Sequence, residues 1–340
     1  MIGKRLFWAD AMKAGSILSV VLYHTNIMAE IKTTAYILCL PAFFFLSGVF
    51  SNTTYSIGDF FRKKTLRLLV PYVFFGVIGW LLWVVVGRKY GGDANTNQMW
   101  YFPLLGMLKG NVHDLVQNPP LWFLCCMMVL EWFYYGIRSI RSGILRCILY
   151  IGLGAVGCYG GIQGWPNGWS VLSAMIMLPV YAFGGECSSW IQQESHTQTN
   201  TKLLIVLLAS IAGITAAFFL NPGINISTAQ VGNPIYFYIS VAAVIGFWWS
   251  ISVLIERVAG EMHSIEFIGS NTLLILCLHI LMFGGIKGGL LICRVPLSFY
   301  ETNAGSLLLW FLSIILLVPV IIGVKRYLPP LVSGRSPFIP

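Results

Sequence analysis

An aspartate, a lysine and a histidine sit along an apolar run near the start of the chain, "FWADAMKAGSILSVVLYHTN" (7–26). Together they could do proton-transfer chemistry and hold an anion. A neutral imidazole accepts a proton from a hydroxyl, a lysine holds an anion, and a carboxylate pairs with the lysine. Helical geometry puts Lys13 and His24 about 20° apart around the axis and about 16 Å apart along it. Asp10 lies about 60° from Lys13 and about 40° from His24, so all three share one stripe. Snorkelling at an interface accounts for Asp10 and Lys13 taken singly. The shared stripe instead favours a face turned toward a bundle interior or a wet cavity. Asp10 and Lys13, at i and i+3, can pair. Asp10 is about 21 Å of rise from His24, so the two form no triad, and another element has to orient the imidazole.

Further candidates follow the same logic. His279 and Glu131 fall inside apolar runs, where ionisable groups are costly and need partners. "FRKKTLR" supplies four cations within six positions, Arg62, Lys63, Lys64 and Arg67. Plain membrane topology accounts for such a cluster; beside Lys13 it also suits a polyanionic ligand. Ser47 and Asn271 are candidate donors to an oxyanion, with packing the competing role for Ser47. The eight cysteines form no C-x-x-C pair and read as packing residues, so neither a metal site nor a disulfide framework is expected.

The elements that must carry these residues are membrane helices. The 340-residue chain is 57% hydrophobic and 10% charged, with a mean hydropathy of +0.78. A soluble domain carries about 25% charged residues. The expected fold is all-α, a polytopic helical bundle in one membrane domain (1–340) with no soluble domain. About ten spans of roughly 20 residues are expected, at 7–28, 35–51, 68–87, 120–137, 145–162, 169–187, 202–220, 234–255, 270–292 and 305–324. With the N-terminus inside, fourteen basic residues fall on the inner side, from Lys4 and Arg5 to Arg335, against five outside (Lys32, Arg88, Lys89, Lys109 and Arg294). An even span count puts both termini in the cytoplasm. The net charge of +9 is spread over short loops, which argues against nucleic acid as a partner. The connection 88–119 contains "MWYFPLLGML", suited to lying in the interface. Trp100, Tyr101, Phe102, Trp122, Trp165, Trp169 and Tyr300 belong to the outer loops, where an interfacial belt competes with sugar stacking as their explanation.

Several stretches together resemble the membrane-bound acyltransferase-3 family, most closely its fucose-4-O-acetylase-like branch. "FWADAMKAGSILSVVLYH" is similar to the family's basic residue, ten positions, then histidine. "LPAFFFLSGVF" (40–50), "FFRKKTLRLLVPY" (60–72), "PPLWFLCCMMVLEW" (119–132) and "IEFIGSNTLLILCLHI" (265–280) resemble its later elements in order, with His279 on the final histidine. Cys39 stands where that branch often has a histidine, and Leu276 near its usual tyrosine. The resemblance implies acyl transfer from cytoplasmic acyl-CoA, usually acetyl-CoA as donor substrate, to a hydroxyl of a surface or lipid-linked glycan. It places the protein in a bacterial inner membrane with no permanently bound cofactor. His24 would be the base, with Lys13, Asp10, His279 and Glu131 around it and Arg62, Lys63, Lys64 and Arg67 facing the donor. A glycan-precursor transporter is the competing class, weakened by the lack of an internal repeat. A non-catalytic scaffold in a polysaccharide assembly is a third reading, and it predicts that His24→Ala leaves the phenotype intact.

Overall fold

The computed structural model describes residues 6–51, 54–90 and 98–329. Lys4, Arg5 and Arg335 of the inner basic set, and 91–97 of the long connection, lie outside these residues. Among the described residues every regular element is helical, apart from one isolated bridge between Asn225 and Gln230. Among the described residues, nine helical stretches are long and apolar enough to cross a membrane: Ala29–Val49, Ile57–Gly87, Pro119–Arg138, Gly143–Ile162, Gly168–Glu186, Asn200–Leu220, Pro234–Ala259, Thr272–Ile292 and Asn303–Tyr327. They correspond to nine of the ten expected spans. The remaining one, α1 (Phe7–Tyr23), has 17 residues and is about 26 Å long.

Helix α1 is buried over most of its length, including Trp8, Asp10, Met12, Ile17, Val20 and Val21. Its polar stripe is therefore enclosed by neighbouring helices. The periphery is the reverse. Asn200–Leu220 buries only Leu203, Ser210 and Ala217, and exposes Ile205, Leu208 and Phe219. An apolar helix exposed on most sides is stable in lipid and not in water. Side-chain caps start several peripheral helices: Ser142, Thr199, Asn233 and Thr302 each accept a backbone N–H of the first turn.

The second expected span, 35–51, is not one helix. It is α2 (Ala29–Cys39) followed by α3 (Pro41–Val49). Pro41 has no N–H to continue the ladder and opens α3 at its first position. The third span starts earlier than expected. Helix α4 (Ile57–Gly87) absorbs the basic stretch, and "FRKKT" (61–65) forms a widened π-type turn within it. Trp132 Nε1 donates to Thr65 Oγ1 (3.0 Å) and fastens that turn. Trp132 belongs to α5 (Trp122–Arg138).

Two parallel helices frame the interior. A short α6 (His263–Ser270) precedes α7 (Thr272–Ile292), with Asn271 between them. Gly269 lies directly against the backbone carbonyl of Asp10. His279 meets His24 further along. So α1 and α7 run in the same direction, from a Lys13 end to a His24 end. Helix α3 runs the other way: Phe50, just past its end, lies beside Trp8 (6.5 Å between rings) and under the Lys13 ammonium (5.9 Å).

The contact at Gly269 leaves no room for a methyl group. Gly269→Ala is expected to cost about 2 kcal/mol or more, read as a lower thermal midpoint in nanodiscs. Gly288→Ala, on α7 and facing open space, should leave the midpoint unchanged or slightly raised.

Candidate active site: a charged cavity and a histidine pair

The fold brings His24 and His279 together from chain positions 255 residues apart. His24 closes α1, with Nδ1 2.8 Å from the carbonyl of Val20. His279 is fully buried, with Nδ1 2.9 Å from the carbonyl of Ile275. A carbonyl only accepts, so each Nδ1 carries the proton. His279 Nε2 is then a lone pair, and it lies 3.4 Å from His24 Nδ1. The His24 N–H is shared between Val20 O and His279 Nε2, which leaves His24 Nε2 as a free lone pair. The rings meet edge-on, 5.0 Å between centroids. Tyr23 and Phe283 pack edge-on against His24 and His279, at 4.9 Å and 5.9 Å. The imidazole of His24 is thus oriented by its own helix and by α7.

The other candidates gather at the Lys13 end, around a cavity of about 730 Å³. Asp10 and Lys13 pair at 2.9 Å, with the carboxylate nearly buried and the lysine 28% exposed. Lys64 of α4 pairs with Glu131 of α5 at 3.1 Å. Arg67 lines the same cavity, and among the described residues no carboxylate lies within ion-pair distance of it. Among the described lining residues, two carboxylates and three cations sum to a net charge of +1, which suits an anion with several oxygens. Lys64, half-buried, and Arg67, largely exposed, line the cavity, whereas Arg62 and Lys63 are exposed and do not line it, and Lys63 lies over the Tyr55 ring at 4.7 Å.

Ser47 lines the cavity as well. Asn271 does not; its amide N–H₂ donates to Phe267 O (2.6 Å) and Ser270 Oγ (3.1 Å), which ties α6 to α7. Cys39 donates to Tyr36 O (3.1 Å) and is buried. Of the outer aromatic residues, Trp100, Tyr101 and Trp165 are exposed, while Trp122 and Tyr300 are buried. Trp169 Nε1 donates to Leu108 O (2.9 Å), a structural tie. Sequence reasoning did not single out Gln192, Ser270 and Thr272 at the cavity, nor its apolar lining residues Ile17, Phe43, Phe123 and Leu276. Ser270 and Thr272 sit inside the 265–280 motif without a spacing of their own, Gln192 lies in none of the motifs, and the apolar residues, Leu276 included, carry no chemical signal beyond helix core.

The histidine pair does not line this cavity. His24 follows the last lining residue of α1, Ile17, by seven positions, about 10 Å of rise on the same face. His279 follows Leu276 by about one turn.

Comparison with known families matches residues 6–326 to the acyltransferase-3 family, described as an acyltransferase domain. The match covers nearly the whole chain, and the protein belongs to this family of membrane acyltransferases. Comparison with curated proteins and with solved structures gives no match.

The Lys64–Glu131 pair supports a direct test. Glu131→Gln or Lys64→Met strands a charge in a confined site and should cost on the order of 2–4 kcal/mol. The double variant Lys64→Met/Glu131→Gln should recover most of that loss. Thermal unfolding of the three variants measures the coupling, and additive losses would show that the two side chains do not interact.

Proposed function

We propose that the protein is an integral-membrane O-acyltransferase of the bacterial inner membrane that moves an acetyl group from acetyl-CoA to a hydroxyl of a surface or lipid-linked polysaccharide. The observation that carries this reading is the alignment along α1 of a cationic cavity at one end and a histidine with a free Nε2 at the other. The Lys13 end faces the cytoplasm in this reading, in line with the inner basic residues. Lys13, Lys64 and Arg67 meet the donor's phosphates, and the pantetheine arm points along the cavity toward the histidine pair.

The chemistry follows from the tautomers. The acceptor hydroxyl oxygen attacks the thioester carbonyl carbon as His24 Nε2 takes the hydroxyl proton. The tetrahedral centre collapses, the C–S bond breaks, and the new C–O ester bond remains. The proton on His24 Nε2 passes to the departing sulfur, giving free CoA thiol. While His24 is an imidazolium, His279 Nε2 accepts from its Nδ1–H and fixes the ring. His279 is a positioning residue, and His24 is the catalytic one. Asp10 and Glu131 hold Lys13 and Lys64 in place and keep the unoccupied cavity close to neutral.

Calorimetry of acetyl-CoA binding to the protein in nanodiscs tests the donor assignment. The wild type should bind, Lys13→Ala and Arg67→Ala should each weaken binding about tenfold or more, as expected for a lost charge-assisted contact, and His24→Ala should bind like the wild type. A wild type that binds neither acetyl-CoA nor CoA overturns the donor assignment and brings the transporter reading forward.

A further inference from the structure

The cavity is polarised along its length, and four helices agree on the direction. On α1 the lining passes from Lys13 to Ile17, and on α7 from Thr272 to Leu276. On α3 and α5, which run oppositely, it passes from Ser47 back to Phe43 and from Glu131 back to Phe123. Leu6, Ala9 and Phe50 also line the Lys13 end, which is therefore mixed, whereas at the other end all four helices present only bulky apolar side chains. The apolar end is a wall. Ile17 is fully buried, Leu40 and Leu276 are 5% exposed and Phe43 is 8% exposed. Phe43 meets Phe123 edge-on at 5.9 Å between centroids.

This wall stands between the ion pairs and the histidines. Leu276 is about one turn before His279, and Ile17 about two turns before His24. Attack on a thioester needs the carbonyl carbon about 3–3.5 Å from the acceptor oxygen, with His24 Nε2 in hydrogen-bond reach of that oxygen. A donor whose phosphates stay at the cations must therefore pass its acyl carbon between these wall side chains to reach His24, and the acyl tail has to fit among them as well.

Resting on the donor reading above, we infer that Ile17, Phe43 and Leu276 are the residues that set the length of the acyl group, and that they restrict the donor to a short, unbranched acyl chain of two or three carbons. The side chains are large, closely packed and drawn from three helices, so a longer tail has to displace core packing. A pocket of this kind discriminates by on the order of tenfold or more per methylene.

The test needs no acceptor. Dissociation constants for free CoA, acetyl-CoA and hexanoyl-CoA are measured in nanodiscs for the wild type, Ile17→Ala, Leu276→Ala and Leu208→Ala. Leu208, on the peripheral helix Asn200–Leu220, is 66% exposed and does not line the cavity. Expected is a wild-type preference for acetyl-CoA over hexanoyl-CoA that shrinks at least tenfold in Ile17→Ala and Leu276→Ala. Leu208→Ala should keep the preference, and CoA affinity should hold in all four proteins. Unchanged CoA affinity also reports intact folding; if an alanine variant does not fold, Ile17→Val and Leu276→Val carry the same comparison with a smaller shift. A wall variant that binds CoA and keeps the wild-type ratio overturns the inference while leaving the donor reading intact. A wild type that binds no CoA overturns the donor reading itself.

Discussion

Charge inside an apolar medium governs this structure. Removing an ion from water costs several kcal/mol even after relaxation, and the cost falls only when a partner and further hydrogen bonds are supplied. Helix α1 carries an aspartate and a lysine through the centre of a chain built for lipid. The bundle answers by enclosing α1, pairing Lys13 with Asp10 and Lys64 with Glu131, and leaving a cavity where the four side chains meet. The arrangement of α4 and α5 follows from the second pair, and the widened turn at 61–65 aims Lys64 at Glu131.

The second constraint is the parallel course of α1 and α7. The contact of Gly269 with the Asp10 backbone holds one end and the His24–His279 contact marks the other. Because both ends are fixed, the cationic cavity and the free imidazole nitrogen lie on one axis with an apolar wall between them. In the proposed reading the cations hold phosphates, the acyl group passes among the wall side chains, and the base takes the acceptor proton at its far side. That order matches the order of groups in an acyl-CoA, from phosphates through a linear arm to a reactive carbonyl.

Much of this was legible in the sequence. Long apolar runs give the helices, and their composition gives the membrane. Helical arithmetic on Asp10, Lys13 and His24 gives the stripe. The motifs around His24, Lys64, Arg67 and His279 give the family. The contact between the two histidines was not legible, because it depends on the register of α7 against α1, and that register is set by a glycine contact with no periodic signature. The division among the basic residues was hidden too. "FRKKTLR" offers four cations; the i, i+3 spacing puts Lys64 and Arg67 on one helical face, but nothing local shows that this face is the one turned to the cavity. Pro41 announces a possible break, yet the apolar run around it reads equally well as one span. The partner of Glu131 lies 67 residues away, beyond any local rule.

The central claim is that His24 is the base at the end of a donor path that begins at the cations. It is tested most directly by measuring acceptor-dependent transfer of labelled acetyl from acetyl-CoA in membranes, for wild type and His24→Gln, with donor binding measured in parallel. The account predicts that His24→Gln binds acetyl-CoA within about threefold of wild type while transfer falls by 10²–10⁴, the usual worth of a general base. Transfer by His24→Gln at the wild-type rate would contradict it.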